Sequence, residues 1–248
     1  MLFTQLVGIV AALGLAVARG EPGIPPADIA WSCAGAVFGL VGIAALYHGL
    51  AVGRMGVVAP TTGVLAALLP VAVGFTYQGL PAAPVIVGIV AALLAVVLVT
   101  RTSDGSSGRP SGAMWALLAG LCIGSFNVVI GQLSGVGAFG PLALIRFIEA
   151  VLLASFILSR RQSWRLPRDI APKVLVVGLL DMGGNAFFIL ATQAGSLAVA
   201  AVLSSIYPVV TVLLAILVLH ERVTRSHLAG IALTAAAIVL IGAGDALA

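Results

Sequence analysis

Asp181 is the residue whose position most demands a chemical reason. It falls about halfway along an apolar run, in Gly178-Leu179-Leu180-Asp181-Met182-Gly183-Gly184-Asn185. A carboxylate in lipid costs about 2.5 to 3.5 kcal/mol on insertion scales, so an ionisable group at that depth is a functional candidate by default. Asn185 follows one helical turn on, and Phe188 and Thr192 continue the same face. A largely polar stripe flanked by glycines is expected to face the interior of a helix bundle. Two readings of Asp181 stand: a carboxylate that titrates or touches substrate, and an interhelical hydrogen bond that fixes packing.

Arg146 and Glu149 form an i,i+3 pair near the start of another apolar run. The plainer account is a self-neutralising pair near the membrane interface; the sharper one makes Arg146 a gate or a site for a substrate anion. Pro208 stands beside Ser204, Ser205 and Tyr207. A proline inside a helix frees the carbonyl four residues back, here that of Ser204, and freed carbonyls and hydroxyls can meet a substrate or a neighbouring helix. Pro60 and Pro70 are expected to interrupt an earlier span in the same way. Gly120, Gly124, Asn127 and Gly131 lie along one side of a span, a close-packing face whose single polar group, Asn127, is expected toward a central cavity. Asp181, Asn185, Tyr207, Ser204, Asn127, Glu149 and Arg146 are thus the substrate or coupling candidates. His48 reads as an interfacial or packing residue and Glu221 as a solvated helix end.

Several chemistries have no residues to carry them. The sequence holds no GxxxxGK[ST] loop for a nucleotide, no HExxH and no GxSxG elbow. Cys33 and Cys122 both sit in apolar runs and form no CxxC, so neither a zinc site nor a disulfide scaffold is expected. No cofactor, metal or catalytic residue is assigned, and an enzyme is not expected.

The elements that must position these residues follow from composition. Of 248 residues, 61% are hydrophobic and 8% charged, against about 25% charge in a soluble domain. A soluble enzyme and a disordered chain are both excluded. The net charge of +4 comes from loop arginines without a basic stripe, so nucleic acid is not an expected partner. Apolar runs at about 2–19, 29–51, 56–77, 82–100, 112–131, 140–159, 171–192, 196–219 and 226–245 give nine expected helices. They are too long and too continuously apolar for barrel strands. The first is read as a span and not a signal peptide, because no basic residue precedes it.

A shift of 142 residues lays the first part of the chain on the second. Gly42 meets Gly184, Gly53 meets Gly195, Ala59 meets Ala201, and Gly88-Ile89 meets Gly230-Ile231. Spans one to four fall on spans six to nine. Five crossings separate each pair, so the copies should have opposite orientations, an arrangement recurrent in secondary transporters with the substrate site near the midplane. The expected organisation is an N-terminal repeat of four helices at 1–100, a linker at 101–111, and a C-terminal repeat of five helices at 112–248. The span at 112–131 has no mate at this offset, which leads to the expectation of a five-plus-five protein lacking its first helix.

The stretch from Leu190 to Gly242 resembles the last two helices of the EamA-like family of the drug/metabolite transporter superfamily. The carrying features are Gly195-Ser196, Ser205-Ile206-Tyr207-Pro208, His220-Glu221-Arg222 and a final helix centred on Gly230. The earlier copy is similar through Leu50-Ala51-Val52-Gly53, Val58-Ala59-Pro60 and Gly88, and departs at Gln78-Gly79, where the family has an acidic helix end. The resemblance implies ten helices and export of metabolites, amino acids or drugs by alternating access across the plasma (inner) membrane. The expected partners are a small-molecule substrate and the lipid bilayer, with a homodimer left open. The competing reading is a non-transporting scaffold or accessory protein, or an inactive truncated transporter. Orientation divides sequence and family. Connections after even-numbered spans carry ten lysines and arginines, while those on the opposite face carry only Arg19. Basic residues in short loops stay cytoplasmic, so the count puts Met1 inside and Ala248 outside, whereas ten-helix relatives keep both termini inside.

Overall fold

The computed structural model describes residues 1–53, 55–100, 112–161, 167, 169–204 and, farther on, 229–230, 232–233, 235–237 and 239–240. Its described elements are all α-helices: α1 (Leu2–Ala18), α2 (Pro26–Val52), α3 (Met55–Gln78), α4 (Ala83–Thr100), α5 (Ala113–Gly131), α6 (Phe139–Ser159), α7 (Ala171–Ala194) and α8 (Leu197–Ser204). The described residues between 229 and 240 are helical as well. Helices α2, α5, α6 and α7 are each long and apolar enough to cross a membrane. Their surfaces fit that medium: Val17, Leu158, Leu180 and Phe187 are all strongly exposed, which water would penalise and lipid does not. The chain is a multi-pass, all-α membrane protein. Contrary to the sequence expectation, α3 runs unbroken through Pro60 and Pro70; neighbouring helices and small local adjustments can re-satisfy a carbonyl that a proline frees in lipid.

The chain divides into two compact units. The first joins Met1–Leu40 to Val129–Ala194. Here α1 packs along α6 and α7, and Gly178 of α7 allows the close approach, because a Cβ there would lie 2.9 Å from Val7 Cβ and 3.0 Å from the Thr4 carbonyl. Helix α1 ends in a left-handed Gly20, φ +63°. The Gly20 amide donates to the Val17 carbonyl (3.0 Å) and the Glu21 amide to that of Ala16 (2.9 Å), the paired bonds of a Schellman motif. That turn aims Glu21 at the start of α6, which has no side-chain cap of its own. The Glu21 carboxylate accepts from the amides of Ala138, Phe139 and Gly140, each at 3.0 Å. It satisfies donors that a helix start leaves open and places negative charge at the positive dipole end. Nearby, the buried Asp28 accepts from the Ser134 amide (3.0 Å) and hydroxyl (2.6 Å).

The second unit joins Val41–Val128 to Gly195–Ala248. Its core is small and apolar, with Val71, Val85, Ile89, Ala92, Ala198, Val202 and Ala237 in one cluster. The expected glycine face of α5 is a packing seam. A Cβ on Gly120 would stand 2.6 Å from Leu65 Cβ, and one on Gly124 would stand 3.0 Å from Leu69 Cβ. His48 packs against Trp115 with ring centroids 4.3 Å apart.

A buried ion cluster as the candidate functional site

Helix α6 carries Arg146 and Glu149 on the side turned toward α1 and α7, and both are buried, with side chains 4% and 3% exposed. The i,i+3 spacing lets them pair directly, Arg146 Nη1 donating to Glu149 Oε2 at 3.2 Å. The self-neutralising pair expected from sequence forms, and both of its charges are shielded from solvent by the protein. A buried pair of that kind needs further partners to offset its desolvation, and the unit supplies two.

The first is Gln5 of α1, itself buried, whose Oε1 accepts from Arg146 Nη1 at 2.9 Å. The second is Asp181 of α7, whose Oδ2 lies 2.7 Å from Arg146 Nη2. That oxygen sits off the N–H directions, so the contact is an ion pair without a hydrogen bond. Asp181 differs from its partners in exposure, its side chain being 44% accessible. Gly8, one turn beyond Gln5, faces the Arg146 side chain with no side chain of its own; a Cβ there would lie 3.4 to 3.6 Å from Arg146 Cγ, Cδ and Nε.

The remaining sequence candidates fall elsewhere. Asn185 is half-buried on α7, and its Nδ2 donates to the Asp181 carbonyl at 3.1 Å, a bond within one helix. Asn127 on α5 is half-buried and belongs to the second unit. Ser204, at the end of α8 in that same unit, turns its hydroxyl back to the Ala201 carbonyl at 2.9 Å. Tyr207 lies outside the described residues, as does Pro208. Thus the structure gathers Arg146, Glu149 and Asp181 and adds Gln5, which sequence reasoning passed over. The only local signal for Gln5 was an amide in an otherwise apolar helix. Among the described residues, no three His, Cys, Asp or Glu side chains form a metal-binding group.

With the geometry in place, comparisons with known proteins bear on what it serves. The profile of the EamA-like transporter family matches residues 110–243. A solved structure titled only "Crystal structure of protein" is similar with a TM-score of 0.77 at 16% identity, over 100% of this chain and 88% of that one. At that identity the likeness concerns the fold alone. No curated protein sequence matches.

Proposed function

Because this chain belongs to the EamA-like transporter family, whose members are transporters and not enzymes, we propose that it is a secondary transporter exporting small organic molecules across the plasma membrane by alternating access. The observation that carries this reading is the cluster of Arg146, Glu149 and Asp181 within apolar helices. Membrane proteins retain such groups where ions, protons or substrates pass.

The internal repeat supports the same reading. A shift of 142 carries Val52 to position 194, where α7 ends, and Met55 to position 197, where α8 begins. It also carries Met1–Leu40 into 143–182, within the other segment of the same compact unit. We therefore keep 1–100 and 112–248 as two repeats of opposite orientation joined by 101–111, with each compact unit drawing on both. The charges do not obey this repeat. Arg146, Glu149 and Asp181 correspond to Thr4, Val7 and Gly39. Packing needs are shared by two copies of one scaffold, so groups present in one copy alone answer to something other than packing. That asymmetry weighs against the scaffold reading.

Asp181 is the coupling candidate because it is the accessible member of the cluster. In proteoliposomes, wild-type protein is expected to move members of a metabolite panel, and Asp181→Asn to lose gradient-driven flux while remaining folded and inserted. Undiminished flux in that variant would reduce Asp181 to a packing residue. Absence of flux for every solute in the wild type would favour the scaffold.

A further inference from the structure

The guanidinium of Arg146 has two hydrogen-bonding edges, and they are treated differently. Its Nη1 end is occupied by Gln5 Oε1 at 2.9 Å and Glu149 Oε2 at 3.2 Å. The side edge, Nε with Nη2, is buried and makes no hydrogen bond among the described residues. Asp181 supplies charge there at 2.7 Å but satisfies neither donor. Buried donors left unmade are costly, more so when charged. The side edge of a guanidinium is also a fork that matches the two oxygens of a carboxylate.

The three ionised groups are unequal in a way that suits exchange. Glu149 is 3% exposed and paired with Arg146 through Nη1, so it is the enclosed counter-ion. Asp181 is 44% exposed and holds Arg146 by one oxygen, so it is the solvent-reachable member of the cluster. Gly8 of α1 faces Nε with backbone alone and offers it no side-chain acceptor. We propose that the Nε/Nη2 edge of Arg146 is a binding site for the carboxylate of a monoanionic organic solute, and that Asp181 is a built-in competitor covering the edge when the solute is absent. This rests on the transporter reading for its purpose, though not for its chemistry. The solute carboxylate would make the two hydrogen bonds that Asp181 leaves unmade, and Asp181 would turn toward the accessible side. A cationic solute would do the opposite, pairing with Asp181 and leaving Arg146 to Glu149.

The test is equilibrium binding of labelled benzoate to the full-length chain in detergent, with benzamide and benzylammonium as competitors. Benzoate should bind and neither neutral nor cationic analogue should displace it. Asp181→Asn should raise benzoate affinity roughly tenfold by removing the competitor. Arg146→Lys keeps the charge that Glu149 needs but loses the fork, and should lower affinity at least about tenfold. The proposal is overturned if monodisperse Asp181→Asn protein binds benzoate no better than wild type, if Arg146→Lys binds it equally well, or if benzylammonium is the analogue that binds and Asp181→Asn abolishes it. Flux in proteoliposomes is scored separately. Binding with the expected variant pattern but no flux would sink the transporter reading and leave the site standing, whereas flux without that pattern would do the reverse.

Discussion

In the unit formed by Met1–Leu40 and Val129–Ala194, the buried side chains include Gln5, Asp28, Ser32, Arg146 and Glu149, whereas in Val41–Val128 with Gly195–Ala248 the described residues bury only one polar side chain, Thr62. Both units solve the same problem. Lipid is as apolar as leucine, so helices in a membrane associate through close packing of small residues or through polar contacts, not through a hydrophobic drive. The second unit uses the first device, setting Gly120 and Gly124 of α5 against Leu65 and Leu69 of α3. The first unit uses that device too, at Gly178 against Val7, and then adds a charged cluster that packing alone does not call for. The second unit therefore serves as an internal control for what this fold requires of its core.

The largest effect should follow from breaking the cluster on one side only. Arg146→Met leaves Glu149 buried with no cation beside it, and removing one partner of a buried ion pair costs about 3–5 kcal/mol. Unfolding of the detergent-solubilised variant should show a loss of that size. Adding Glu149→Gln should recover much of it, because the neutral amide no longer needs a counter-charge. If the single variant were as stable as wild type, the cluster would not be a closed ionic unit, and the contrast between the two units would lose its main term.

A smaller loss is expected where the second unit depends on space. A methyl on Gly120 would meet Leu65 Cβ at 2.6 Å and the Thr62 carbonyl at 3.1 Å, and neither atom can rotate away. Overpacking of this kind costs about 1–3 kcal/mol. Gly183→Ala on α7 adds the same methyl where nothing lies within 4 Å, and should be neutral or slightly stabilising. Measuring the two side by side in one unfolding assay separates steric demand from the general effect of replacing a helical glycine.

Much of the framework was legible in the sequence because lipid imposes a simple rule on it. Apolar runs bounded by Gly, Pro and Arg placed α1 to α7 within about three residues of their observed ends. The spacing of Gly120 and Gly124 showed a packing face, and that of Arg146 and Glu149 showed a pair. What stayed hidden were partners distant in the chain. Gln5 meets Arg146 across 141 residues, and nothing near Gln5 hints at that contact. Glu21 and Asp28 fall between the apolar runs at 2–19 and 29–51, yet they bind amides 106 to 119 residues away. A missed clue was available for Glu21: α6 begins at Phe139 after Ala138, with no Ser, Thr, Asp or Asn to cap it, so a cap had to come from elsewhere. Asp181 was expected to face inward, and its dual character, charge toward Arg146 and a half-exposed side chain, depends on how far α7 is turned. Periodicity over a helix of nearly uniform hydrophobicity does not fix that angle.

The smallest loss expected is at Thr62, and it tests the division between the units most finely. Thr62 is buried on α3, and its hydroxyl donates to the Ala116 carbonyl of α5 at 3.3 Å. Val replaces the hydroxyl by a methyl of nearly the same size, so shape is kept and one interhelical bond is lost. The acceptor is not orphaned, because an interior helical carbonyl also receives the amide four residues on. Interhelical hydrogen bonds in membranes are worth about 0.6 kcal/mol on average, and Thr62→Val should cost about that much. A loss above roughly 2 kcal/mol, beyond the range seen for such bonds, would mean that the second unit also relies on a polar centre. The charged cluster would then differ from Thr62 in degree only, and its burial would lose its value as a mark of transport.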